Sequence, residues 1–109
     1  MVYKSKMAQE RSVGDNMKIK DLLAGKNMPM DFVIGELDGF HGTFINKKSI
    51  KYYFIIEGKA IVTVDDEKTN VEQGDLVQIP MNSKHSIDGK VKFAIMCTPS
   101  FDINSEEII

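Results

Sequence analysis

Tryptophan is missing from this sequence, cysteine occurs once and proline only three times in 109 residues. With Cys97 as the lone thiol, no disulfide can form within the chain, and the natural reading is a reducing compartment. A basic excess is missing too. Lys and Arg number 14 against 16 Asp and Glu, for a formal net charge of -2. Proteins that grip a phosphate backbone carry a basic face or a strongly basic balance, so no nucleic-acid partner is expected. No apolar run reaches the length of a membrane span, and Lys4, Lys6, Glu10 and Arg11 break up the first residues. The expectation is a cytoplasmic protein with no membrane partner. What remains is an ordinary globular balance, 42% hydrophobic and 28% charged, at a length that suits one domain.

The pattern divides the chain into an N-terminal arm over 1–30, a β-rich body over 31–102 and a loose acidic tail over 103–109. Within the arm, Met17 to Ala24 reads as a short helix, with Asp15 or Asn16 as its cap and Gly25 as its stop. Ile19, Leu22 and Leu23 would share its apolar face. From Asp31 the period shifts towards two. Ile50 to Ile56 is a dense aromatic and β-branched run, and Ala60 to Val64 alternates before the turn pair Asp65-Asp66. Leu76 to Ile79 follows Gly74-Asp75, and Val91 to Cys97 runs up to Pro99. Short strands with turn chemistry between them predict an all-β antiparallel sandwich or barrel.

Two stretches resemble the paired motifs of the cupin family. In the second motif Gly74, Pro80, Asn82, His85 and Gly89 stand at the family spacing, with Asn82 in place of a glycine and Gly89 in place of an asparagine. The first motif keeps its spacing and loses its chemistry. Counting back from Gly58 puts Lys51 at the position of the family glutamate. The two family histidines then fall on Ile45 and Lys47, or on Phe44 and Asn46 if the gap is one residue longer; the first count fits Gly39 better. The resemblance implies a double-stranded β-helix, jelly-roll-like barrel, here preceded by the short N-terminal helix. It also implies a homodimer, for which the edge strands of a small barrel supply a physical reason.

Family cupins hold a divalent metal with three histidines and a glutamate, and His85 alone of those ligands is kept here. Either count leaves too few donors, so no metal and no other cofactor is expected. His85 has two readings, a structural hydrogen bond at the barrel mouth or a proton-transferring or ligand-orienting group. Alternation puts Lys51, Tyr53, Ile55 and Glu57 on one face of the strand and Tyr52 and Phe54 on the other, and the resemblance, which sets Lys51 at the family glutamate position, implies that the first face points into the barrel. A buried ammonium needs a partner, so Lys51 requires a cross-strand acid, water or an anionic ligand. Lys47 and Asn46 lie in a polar turn that is either a solvated loop or a rim that contacts ligand. His41 matches no ligand position and reads as structural, and Cys97 as a buried inert thiol.

These residues point first to a metal-independent barrel that binds a small anionic or sugar-like molecule through His85, Lys51, Tyr53, Lys47 and Asn46. An isomerase, epimerase or lyase using His85 and Lys51 as catalytic groups stands beside it. A non-catalytic regulatory or interaction module is the third class.

Overall fold

The computed structural model describes residues 1–25 and 28–109. Among the described residues the elements are strands β1 (Glu10–Val13), β2 (Met17–Leu23), β3 (Asp31–Asn46), β4 (Ile50–Val64), β5 (Glu67–Glu72), β6 (Leu76–Ile79), β7 (Lys84–Thr98) and β8 (Glu106–Ile108), with 3-10 turns at Ser5–Met7 and Ile103–Ser105. No helix among them is long and apolar enough to cross a membrane.

The strands form one antiparallel sheet in the order β1-β2-β3-β7-β4-β5, with β6 on β4 and β8 on β3. Its three long strands roll the sheet into a barrel. The first part of β4 pairs with β6 and its last part with β5, while β7 runs alongside both. Register shifts mark where β4 bends, between Ile55 and Glu57, and where β3 bends, between His41 and Phe44. Such bulges add a residue to one strand and increase its local twist, which is how a sheet this long closes on itself.

Local chemistry sets the turns. Asp65 and Asp66 both take positive φ and join Val64 to Glu67 as a two-residue hairpin, the backbone that Asp tolerates better than most residues. Asn82 is also left-handed, at φ 67, so its substitution for the family glycine keeps the turn. Gly58 has no such latitude, because a Cβ there would lie 2.2 Å from the Lys90 carbonyl oxygen.

The short N-terminal helix expected over Met17 to Ala24 is not formed; Met17 to Leu23 form β2, and the helical content nearby is the single turn Ser5–Met7. Met17 and Ile19 are buried while Lys18 is exposed, so the segment alternates with period two. Pairing with β3 satisfies its backbone in the sheet, and that tertiary contact outweighs the weak helical spacing of Ile19, Leu22 and Leu23.

The core lies on the inner face and includes Val33, Leu37, Tyr53, Ile55, Val62, Ile79, Ile87, Val91 and Phe93. Each fully buried side chain of this size stabilises the fold by roughly 1.5–3 kcal/mol. The outer face is unusually apolar. Phe32, Met96 and Tyr52 stand side by side across β3, β7 and β4, and the next row is Ile34, Ala94, Phe54 and Leu76, of which Leu76 is 62% exposed.

Candidate functional site in the barrel

A cavity of about 800 Å³ opens on the inner face, between the β1–β2 hairpin and β3, the start of β4 and the last part of β7. Its lining includes His41, Phe44, Lys51, Tyr53, Phe101 and Glu106. Beneath them the alternation of β4 has turned Lys51 inward, where it is only 8% exposed. Its Nζ donates to Glu106 Oε1 at 3.0 Å and lies 3.3 Å from His85 Nε2. The acid that Lys51 requires therefore comes from the C-terminal segment. Far from hanging loose, that segment adds β8 to β3 through Phe44, Ile45 and Asn46 and carries Glu106 over the cluster. Ion pair and imidazole together satisfy an ammonium that burial alone would expel.

The same geometry decides the state of His85. An ammonium only donates and a carbonyl only accepts, so Nε2 accepts from Lys51 and Nδ1–H donates to the Ser83 carbonyl at 3.2 Å. Both ring nitrogens are used, and the side chain is 1% exposed behind Lys51. Burial and then the Lys51 charge hold His85 below the ordinary imidazole range. The same two causes, in the same order, lower His41.

These shifts carry a sign for stability. An imidazole whose folded pKa lies below its unfolded value leaves the unfolded chain to bind the proton first. Stability is therefore fully present above about pH 6.5, the ordinary histidine value, and is lost as pH falls from there through the folded values. The thermal midpoint should stay level from pH 8 to 7 and decline towards pH 5. Ring-proton NMR titrations that place either histidine above its ordinary value would contradict this.

Tyr53 is buried, packs edge-on against Phe93 at 5.2 Å between centroids, and has its phenol pKa raised chiefly by burial, so it stays a donor. Cys97 is buried and its thiol is pushed up to about 11 by burial, which leaves it protonated and unreactive.

Lys51 and Tyr53 line the cavity, and His85 supports Lys51 from behind. The other two residues expected to contact a ligand lie elsewhere. Asn46 is buried, but its Oδ1 accepts from the Lys48 and Ser49 amides and so holds the turn before β4. Lys47 is on the outside, 3.3 Å from Glu107 in an exposed ion pair. Three cavity residues escaped sequence reasoning. Glu106 sat in a tail without periodicity, Phe101 followed the last clear strand, and His41 matched no motif position.

The first-motif count is also corrected. Phe44 pairs with His85 across β3 and β7, and its ring is 6.3 Å from the imidazole, whereas Ile45 sits against Lys84 and Glu107. The longer gap, with Phe44 and Asn46 at the histidine positions, is the one the backbone adopts. Gly39 misled the shorter count because it lies one residue out of the family spacing, ahead of the bulge in β3.

At the four metal positions the chain thus presents Phe44, Asn46, Lys51 and His85. A phenyl ring has no lone pair to give, the Asn46 oxygen is committed to two amides, and an ammonium lies against the His85 imidazole. Among the described residues no group of three or more His, Cys, Asp or Glu is placed to hold a metal ion. A divalent cation does not fit these donors.

Rolled sheet, inner cavity and buried polar cluster together define a double-stranded β-helix barrel. The chain belongs to the cupin family: the Cupin domain model matches residues 39–98. An uncharacterized protein of Methanocaldococcus jannaschii is 35% identical over 65 residues, and the chain spans about half of that relative's length (52%). Among solved structures, the Streptomyces nucleoside dehydratase Pac13 superposes with a TM-score of 0.90 at 17% identity, covering 100% of this chain and 90% of its own. KdgF from Halomonas sp. gives 0.84 at 14% identity, covering 94% and 96%. Oxalate decarboxylase from Bacillus subtilis gives 0.82 at 20% identity, covering 96% of this chain and 31% of its own.

Proposed function

We propose that this cupin binds a neutral, sugar-like small molecule in its barrel without a metal ion. One observation carries the reading: Lys51 and Glu106 form a buried ion pair at the wall of a cavity of about 800 Å³. Glu106 already matches the Lys51 charge and Asp21 that of Arg11, so among the described residues each cation lining the cavity is paired rather than free for an anion. Of the two ligand classes that the sequence suggested, the neutral one is favoured. A polyhydroxylated ring finds donors in Lys51 and Tyr53, an acceptor in Glu106, and apolar faces in Phe44 and Phe101, both already within cation–π reach of the Lys51 ammonium at 6.0 and 5.6 Å. Pac13, with the same fold, was solved with uridine, which makes that nucleoside a reasonable first probe.

Calorimetric titration with uridine, D-ribose and their 5-phosphates tests the reading. The neutral compounds should bind, and the phosphates no more tightly. Phosphates that bind tenfold better would overturn it in favour of an anion site.

A second reading, an isomerase, epimerase or lyase, is favoured by the proton-active groups around the cavity and by the dehydratase activity in the name of Pac13. His85 cannot be its proton carrier as it stands, because both nitrogens are engaged within the chain. Its part is to position Lys51.

A further inference from the structure

We propose that His41 is the residue that moves a proton on the bound molecule, working opposite Lys51. The inference rests on the enzymatic reading above and assigns it a substrate class, a carbonyl compound with a hydrogen on the adjacent carbon.

The backbone singles out His41. Residues three apart on a regular strand point to opposite faces, yet His41 and Phe44 both line the cavity, with ring centroids 4.9 Å apart. The register shift between these two residues makes this possible: the bulge inserts one residue and returns both side chains to the inner face. Gly42, inside the bulge, leaves room for the Phe44 ring, since a Cβ there would come within 3.2 Å of it.

Unlike that of His85, the His41 side chain has no hydrogen bond to any side chain or backbone group among the described residues, so its ring nitrogens are open to a ligand. Burial and the Lys51 charge keep it unprotonated at neutral pH, the state a general base requires. His41 and Lys51 both approach the Phe44 ring, the first at 4.9 Å between centroids and the second at 6.0 Å from Nζ. A small carbonyl compound lying on that ring comes within reach of both the imidazole and the ammonium.

The step balances without a cofactor. His41 takes the proton from the carbon next to the carbonyl, and the C–H electron pair moves to form an enolate. Its negative oxygen is held by the Lys51 ammonium, whose hydrogen bonds strengthen as that charge develops. The imidazolium then returns the proton to the same carbon, which restores the carbonyl and regenerates neutral His41. Where that carbon also bears a hydroxyl, transfer of the hydroxyl proton to the enolate oxygen lets the imidazolium protonate the former carbonyl carbon instead, which leaves the new carbonyl on its neighbour.

Deuterium exchange at the α-carbon reads this step. Dihydroxyacetone, D-glyceraldehyde, D-erythrose and D-ribose would be incubated in D₂O with the wild type, His41→Gln and His85→Gln, with binding followed in parallel by NMR. The wild type should exchange at least one probe that it binds. His41→Gln should slow that exchange about 100-fold or more, in the range for loss of a general base, while affinity changes less than about threefold, well under 1.4 kcal/mol. The wild-type rate should fall on the acid side, and that limb should vanish in His41→Gln. His85→Gln, which disturbs the positioning of Lys51, should lower the rate yet keep the limb, because His41 still carries the proton; loss of the limb there would overturn the assignment. Exchange that survives in His41→Gln overturns the assignment and leaves the enzyme reading standing. A probe bound by the wild type without exchange overturns the reaction while keeping the binding site. If the wild type binds none of the four, both readings fall.

Discussion

Lys51→Met should lower stability by about 2–3 kcal/mol, on the order of 10–20 °C in thermal midpoint for a chain this short. The replacement has similar length and fills the same space, so packing is not the cause. What it removes is the partner of Glu106, whose side chain is only 10% exposed. A buried carboxylate stripped of its cation loses roughly 3–5 kcal/mol. The chain has a cheaper response, because β8 is only three residues long and adds few hydrogen bonds to β3. Each net bond contributes about 1 kcal/mol. Peeling β8 away and returning Glu106 to water therefore limits the loss to the smaller figure. Hydrogen exchange should show the β8 amides losing protection while those of β7 keep theirs. Adding Glu106→Met to Lys51→Met should restore both the midpoint and the protection, since an apolar pair of similar volume replaces a buried ion pair at little cost. A double variant as unstable as the single one would show that the ion pair is not what holds β8 down.

Converting the degenerate quartet into a metal site should have an effect of comparable size and opposite sign. Phe44→His, Asn46→His and Lys51→Glu together complete a three-histidine, one-glutamate set with His85. The exchange removes a positive charge and adds a negative one beside Glu106, so the local field comes to favour a cation. Without metal the variant should be less stable than the wild type, because Asn46→His gives up two amide contacts at the turn. With Zn, Mn or Ni at a thousandfold excess over the dissociation constant, linkage adds about 4 kcal/mol. Elemental analysis should find about one ion per chain, the stoichiometry of a single completed site. The set built on the shorter count, Ile45→His, Lys47→His and Lys51→Glu, should take up none, because Lys47 lies on the outer surface against Glu107. Uptake by that second set, or by neither, would undo the placement of Phe44 and His85 on which the cavity chemistry rests.

Much of the fold was legible because its determinants are local. Alternation put Lys51, Tyr53 and Ile55 on one face and Tyr52 and Phe54 on the other, the motif position of Lys51 marked the first as the inner one, and the structure buries those three while Phe54 is exposed. Asp65-Asp66 announced its hairpin, and Asn82 its left-handed turn, through φ preferences that each residue carries with it. The motif spacing around Gly58, Gly74 and His85 pointed to the cupin barrel for a related reason. Turn glycines and strand lengths are properties of short segments.

The site was decided at longer range. Met17 to Leu23 is a strand because β3 lies beside it, and its sequence alone was ambiguous between the two periods. The first-motif count turned on a bulge, which one extra residue creates only where two strands must stay in register. That bulge also brought His41 into the cavity, where no spacing rule had placed it. Most plainly, sequence required Lys51 to have a partner and could not name it. The partner is Glu106, 55 residues away, and only the closure of β8 onto β3 brings the two together. A side chain's face and turn follow from its neighbours in the chain, whereas its charge partner follows from which strand ends meet in space.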